Sequence, residues 1–287
     1  MTPRWYVKKA ARFSVAVSSV SSGALLMRAV LARQRVRALM YHRFAVAPRD
    51  AFSVRPSTFE AHMRILAEER RAISLEDLRL FVLGKKALPR DACLVTIDDG
   101  LSSTLTEALP ILRRWGVPAV AFVSPGLVGS AHRYPEPYMN WDEVRALLAS
   151  GLFEIGSHAY THRSLGLIAT DEMRTEVRRS KEHLEDELGV SIRSFAYPFG
   201  TRSDFNALTE RAIADAAYTI AFNSMHGAIR PGTDPISLPR VKVEGGEPLW
   251  MFRSIIRGAM DPWRLADRTL FQLQRDRFEV TGHSPRE

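Results

Sequence analysis

Two short stretches, Thr96-Ile97-Asp98-Asp99-Gly100 and Ser157-His158-Ala159-Tyr160-Thr161-His162, hold two adjacent carboxylates and two imidazoles four positions apart. A divalent metal held by two histidines and one carboxylate keeps an open position, where water becomes a nucleophile near neutral pH. The second carboxylate could then serve as the base. Zinc suits such a set, and nickel, cobalt or iron is compatible with it. Each half is weak evidence alone: paired aspartates also cap helices, and His-x-x-x-His recurs by chance.

The chain must position these residues, and its pattern says how. Beyond residue 35, short β-rich runs alternate with helical-period segments, which implies βα units and a mostly parallel sheet. Seven runs read as strands: Arg37 to Tyr41, Cys93 to Ile97, Ala119 to Val123, Phe153 to Gly156, Arg193 to Tyr197, Thr219 to Phe222 and Leu238 to Val243. Seven such units predict an α/β fold, a distorted (β/α)7-type barrel forming a single catalytic domain. Helices are expected after Ser57, Ser74, Asn140 and Thr170, with glycines 84, 116, 151 and 189 ending segments. On this map His42, Asp98 and Asp99, His158 and Pro198 all fall at or just past the C-terminal ends of strands. In barrels of this kind, that rim carries the active site.

Size and composition agree. The 287 residues suit one barrel with extensions, and 46% hydrophobic with 25% charged residues is globular composition, which excludes disorder as the main state. The expected division is a basic extension over 1–34, the barrel over 35–260, and a C-terminal helix and tail over 261–287. The single cysteine, Cys93, lies in an apolar run and reads as core, so no disulfide framework points to an extracellular home. A net charge of +8 is densest at Arg4, Lys8, Lys9, Arg12, Arg28, Arg33, Arg35 and Arg37, and no nucleic-acid module is present. Membrane-surface association therefore fits better than nucleic acid. The stretch Phe13 to Met27 is too short and serine-rich for a convincing spanning helix and lacks a clear cleavage site. It reads either as a weak anchor or as an amphipathic helix packed on the domain. Cell envelope or membrane-associated location is expected, with the cytoplasm left open, and the chain is expected to be a monomer.

The two motifs resemble those of the polysaccharide deacetylases of the NodB-homology type, carbohydrate esterase family 4, with Ile97 where phenylalanine is usual. The resemblance implies a glycan substrate, Asp98 as catalytic base, and Asp99, His158 and His162 as metal ligands. A third block, Phe195-Ala196-Tyr197-Pro198-Phe199-Gly200, is similar to the family's Arg-Pro-Pro-Tyr-Gly stretch but has Ala196 in place of the arginine that orients the base. Arg240, in Leu238-Pro239-Arg240, is the candidate substitute; a surface arginine is the alternative. No late Leu-x-His motif follows Gly200, where only His226 and His283 remain. Leu39-Met40-Tyr41-His42-Arg43 instead resembles the Met-Tyr-His block of a permuted subgroup acting on poly-N-acetylglucosamine, which implies His42 as general acid. Tyr197, Pro198, Phe199 and Trp141 are candidate substrate contacts, with core packing as the bland alternative for the aromatics.

The implied reaction is hydrolysis of N-acetyl groups on an N-acetylglucosamine-containing glycan. O-acetyl esterase activity on xylan-like glycans, a catalytically silent glycan-binding homologue and a mononuclear iron oxygenase are the rivals. Specificity is expected in the loops Phe44 to Pro56 and Ser124 to Tyr138.

Overall fold

Strand formation follows from apolar runs that are buried on both faces. β1 (Val36–Tyr41), β4 (Ala92–Ile97) and β5 (Ala119–Val123) are buried at every position, as a parallel sheet covered on both sides requires. The computed structural model describes residues 3–23, 25, 34–47, 50–131 and 136–269, with side chains described between residues 6 and 267 of these. Arg28, Arg33, His283, the side chain of Arg4 and the tail beyond 269 lie outside the described residues.

With β6 (Phe153–Ser157), β7 (Ser194–Ala196), β8 (Ile220–Phe222) and β9 (Arg240–Lys242), these strands form a seven-stranded sheet in the order β8-β7-β6-β5-β4-β1-β9. All its pairings are parallel. The run expected to be one strand from Leu238 to Val243 is divided. Leu238 bridges Phe222 of β8, while Arg240 pairs with Ala38 of β1, so this segment closes the barrel. A pair of two-residue strands, β2 (Arg43–Phe44) and β3 (Ser53–Val54), braces the loop that follows β1.

Helices surround the sheet: α1 (Pro3–Ser21), α2 (Pro56–Glu68), α3 (Leu75–Val82), α4 (Leu109–Trp115), α5 (Trp141–Ala149), α6 (Thr170–Leu188), α7 (Ala207–Asp215), α8 (Leu249–Ile256) and α9 (Arg264–Thr269). Ser74 and Asn140 form capping boxes with Asp77 and Glu143. Ser57 is not a cap; α2 begins earlier because Pro56 takes its first turn after Arg55. Thr170 lies inside α6, whose N-cap is Ala169. Gly116 and Gly189 end α4 and α6 in the left-handed conformation that glycine tolerates.

Period-two alternation sorts side chains into two cores. Ala38, Leu94, Val120, Phe122, Ala196 and Phe222 fill the barrel interior, continuous with Leu78 and Phe81 of α3. Leu39, Val95, Ala121, Ile155, Phe195 and Tyr197 face the helices. Gly156 is required inside: a Cβ there would meet the Phe122 ring at 2.5 Å. Cys93 is fully buried, as expected, and burial pushes its thiol up to about 12.

Candidate active site

Strand ends deliver the chemical groups. His42 follows β1, Asp98 and Asp99 follow β4, and His158 follows β6. The backbone N–H of Asp98 still donates to the Tyr41 carbonyl at 3.0 Å, so the ladder holds this aspartate at the barrel edge. Asp98 continues the inward series of Leu94 and Thr96. Asp99 then turns away through a positive φ of 76°.

That turn divides the two carboxylates. Asp99 Oδ1 lies 3.6 Å from His158 Nε2 and 3.3 Å from His162 Nε2, and ligand atoms of the three residues lie within 4.8 Å of one another. His158 Nδ1 donates to the Ala196 carbonyl at 2.7 Å, which fixes the tautomer and leaves Nε2 with its lone pair toward Asp99. This donor set, two imidazole nitrogens and a carboxylate oxygen, fits a divalent ion. Burial opposes ionisation of Asp99, but the imidazoles of His158, His162 and His42 beside it hold its carboxyl well below the usual range. Asp99, Ala159, His162 and Phe199 all adopt positive φ, so left-handed backbone is concentrated at this site.

Asp98 is 2% exposed and has a different partner. Arg240 Nη1 donates to its Oδ1 at 2.6 Å, Arg240 Nε donates to the Asn223 carbonyl at 3.0 Å, and the guanidinium is fully buried. Burial raises the Asp98 pKa, but Arg240, with His158 and His42, outweighs it and leaves the carboxyl below its ordinary value. An arginine thus does bond Asp98, reaching it from β9 rather than from the strand that carries Ala196. Alternation explains the approach: Arg240 pairs with inward-facing Ala38, so its side chain enters the barrel.

His42 packs its ring edge on Phe52 at 4.7 Å. Burial pulls it down to about 4; Asp99 and Asp98 oppose that fall, while Lys242 and Arg240 add to it. Phe199 meets the His162 ring edge-on at 4.9 Å. Trp141 is half-buried in the first turn of α5 and packs on His183 at 5.1 Å. Pro198 is buried. Tyr197, a candidate sugar platform, is instead a core residue: it is fully buried, stacks on Phe205 at 4.9 Å, and its hydroxyl donates to the Ile236 carbonyl. One position beyond inward-facing Ala196, alternation points it toward the helices.

Three supports escaped sequence reading. Glu176 of α6 accepts from the Thr161 N–H at 2.8 Å and hydroxyl at 2.6 Å, pinning the turn between the two histidines. The Ala196 carbonyl orients His158, and Lys242 stands within electrostatic reach of His42. A carboxylate mid-helix and a backbone carbonyl carry no motif. Lys242 could have been found from Arg240, two residues earlier on the same strand face.

A parallel barrel whose mouth holds an Asp-His-His cluster beside an arginine-bound aspartate defines a class. Residues 85–221 match the family model for polysaccharide deacetylases. Among its relatives is a poly-beta-1,6-N-acetyl-D-glucosamine N-deacetylase of Staphylococcus aureus, 22% identical over 201 residues, which are 67% of this chain and 68% of the relative. The fold is similar to that of IcaB from Ammonifex degensii, with a TM-score of 0.68 and 23% identity over 79% of this chain and 97% of that one. It is also similar to the Streptococcus pyogenes deacetylase PplD in complex with acetate, with a TM-score of 0.67 and 22% identity over 81% and 97% of the two chains.

Proposed function

We propose that this protein is a metal-dependent hydrolase that removes N-acetyl groups from an N-acetylglucosamine-containing glycan. The observation that carries the reading is the division of labour between adjacent aspartates: Asp99 joins His158 and His162, while Asp98 is held by Arg240. The Staphylococcus aureus relative, named for N-deacetylation of poly-β-1,6-N-acetylglucosamine, supports the substrate class.

Asp99, His158 and His162 would hold the ion, with zinc the best match to the donors and nickel, cobalt or iron compatible. A divalent ion there supplies Lewis-acid polarisation of the acetamide carbonyl and lowers the pKa of water. Asp98 takes the proton of the attacking water. Arg240 occupies its Oδ1, which directs the proton to Oδ2 and keeps the carboxylate ionised at neutral pH. An amide nitrogen leaves poorly unless protonated, and His42 at a separate strand end is the donor. Burial holds His42 down at about 4, so the ring is neutral at neutral pH and donates only after taking up a proton, which the nearby Asp99 and Asp98 charges favour. Phe199 stands beside His162 at the mouth, where a sugar face could pack.

The test is acetate release from N-acetylglucosamine polymers, chitin oligomers, peptidoglycan and acetylated xylan, with elemental analysis of the protein. The expected result is release from an N-acetylated polymer and one bound divalent ion, both lost in His158→Ala. Release from acetylated xylan alone would assign the site to the esterase reading, and no release from a metal-loaded protein would leave a silent homologue.

A further inference from the structure

Helix α1 is built inside out. Every charged residue between Tyr6 and Ser21 turns toward the barrel. Arg12 is fully buried, donating from Nε to Glu247 at 2.8 Å and from Nη2 to the Lys242 carbonyl at 2.9 Å. Its Nη1 donates to His226 Nε2 at 3.2 Å, so the His226 Nδ1–H donates to Asp267 at 2.9 Å. Lys8 pairs with Glu244 at 2.9 Å, and Lys9 donates to the Gly245 carbonyl at 3.2 Å. Ala16 and Ser19 complete the packed face, with the Ser19 hydroxyl donating to the Ala259 carbonyl.

The opposite face is apolar and exposed: Tyr6 is 59% exposed, Val7 71%, Phe13 46%, Val17 41% and Val20 47%. Ala10, Ala11, Ser14 and Ser18 fill the space between them. A surface helix in water shows the reverse pattern, with its apolar stripe inward and its charges outward. The patch extends to α8, where Trp250 is 41% exposed and takes the Phe13 ring edge-on at 5.2 Å. Arg253 and Arg257 follow Trp250 at i+3 and i+7; Arg253 is partly exposed and pairs with Glu69 of α2, and Arg257 is exposed.

We infer that the outer face of α1, extended by Trp250, docks on an anionic lipid bilayer. Apolar side chains with an interfacial Trp and Tyr, rimmed by arginine on a chain of net charge +8, match the interface between acyl chains and anionic headgroups. Among the described residues no helix is long and apolar enough to cross a membrane, so the helix lies on the surface. A second copy is the poorer occupant, because face-to-face pairing brings the same arginines and two chains of charge +8 together. The geometry also sets the pose. Arg12 and Lys9 grip the segment after β9 at the barrel mouth, whereas Ser19 reaches Ala259, near the Ile256 carbonyl that accepts from Arg37 at the barrel foot. The docked protein therefore lies on its flank, with the mouth opening along the membrane surface. This inference stands apart from the deacetylase reading.

Vesicle co-sedimentation of the full chain tests it, with phosphatidylcholine vesicles, the same vesicles containing phosphatidylglycerol, and the double variant Phe13→Glu, Val17→Glu. Both positions are exposed, so the variant should keep the parent's thermal midpoint and circular dichroism. Expected are binding to phosphatidylglycerol vesicles, weakening in high salt, and loss in the variant on the order of tenfold or more. A folded variant that binds as the parent does, or a parent that stays in the supernatant, overturns the proposal. A dimer in sedimentation velocity that the variant dissolves, without vesicle binding, overturns it in favour of a second copy.

Discussion

Arg12 and Arg240 are alike in burial and in pairing with a carboxylate, and differ in what they serve. Each guanidinium is fully buried, each is bonded to a carboxylate, and each reaches across the chain, to Glu247 from α1 and to Asp98 from β9. Arg240 supports an aspartate one residue from the Asp-His-His cluster, at the open end of the barrel. Arg12 closes an internal network of Glu244, Glu247, His226 and Asp267 that locks a helix to the barrel wall. There burial opposes ionisation of both glutamates: Arg12 and Lys8 draw Glu244 down to about 2, while burial and the charge of Glu244 keep Glu247 raised. A buried ion pair with shifted pKa values therefore does not by itself mark a catalytic group. Access to the mouth and adjacency to metal-capable ligands make the distinction.

The comparison is broken most directly at Asp98. Asp98→Asn should cut the rate of acetate release by about 10²–10⁴-fold while bound metal stays at the parent's level, as expected for loss of a general base. Steady-state kinetics beside elemental analysis reads both, and near-parental turnover would remove Arg240's purpose as well. Arg12→Leu should do the opposite. Removing one partner of a buried pair leaves charge uncompensated, at about 3–5 kcal/mol of stability in urea unfolding. Turnover per folded molecule should hold; if it collapsed with stability intact, the two arginines would not be different in kind.

Gly156→Ala probes the barrel interior beside Arg240. Its new Cβ would strike the Phe122 ring, whose centre lies 5.7 Å from the Arg240 guanidinium carbon. Overpacking of about 1–3 kcal/mol is expected in the same assay, with a fall in turnover as Arg240 is displaced.

A pH-dependent effect concerns a buried histidine that lacks a counter-charge. His62 accepts or donates at 3.2 Å with the Tyr41 hydroxyl and stacks on Phe252, and burial pulls it down to about 3. Its folded pKa lies below the unfolded value near 6.5, so the unfolded chain binds the proton more readily. Its contribution is therefore complete above pH about 6.5 and is lost as pH falls toward 3, at no more than about 1.4 kcal/mol per pH unit. His62→Phe should flatten that slope in urea titrations across the acid range; an unchanged slope would assign it to other groups, His42 among them.

Much of the fold was legible because both faces of a barrel strand are apolar, so all seven runs stood out from the polar loops. Boundaries were less legible. Pro56 moved the start of α2 forward, and the last run divided between two neighbours because closing a barrel needs one segment to touch both edges. Among site residues, Asp99, His158 and His162 were readable because they lie in two compact motifs. Tyr197 was misplaced as a candidate sugar contact because a motif reports position along the chain, whereas the face it occupies depends on strand phase.

The sequence by itself determined the inventory: an aspartate pair, a histidine pair, seven β runs and a basic start, all written in local order and spacing. Tertiary structure alone decided the partnerships. His42 and Arg240 lie outside residues 85–221, and only barrel closure sets Arg240 against Asp98. The inward turn of Arg12, Lys8 and Lys9, which leaves an apolar face outside, likewise depends on two carboxylates and a backbone carbonyl more than two hundred residues away. Local patterns record what each residue can do. Which charges meet depends on long-range pairing, which no short window of sequence contains.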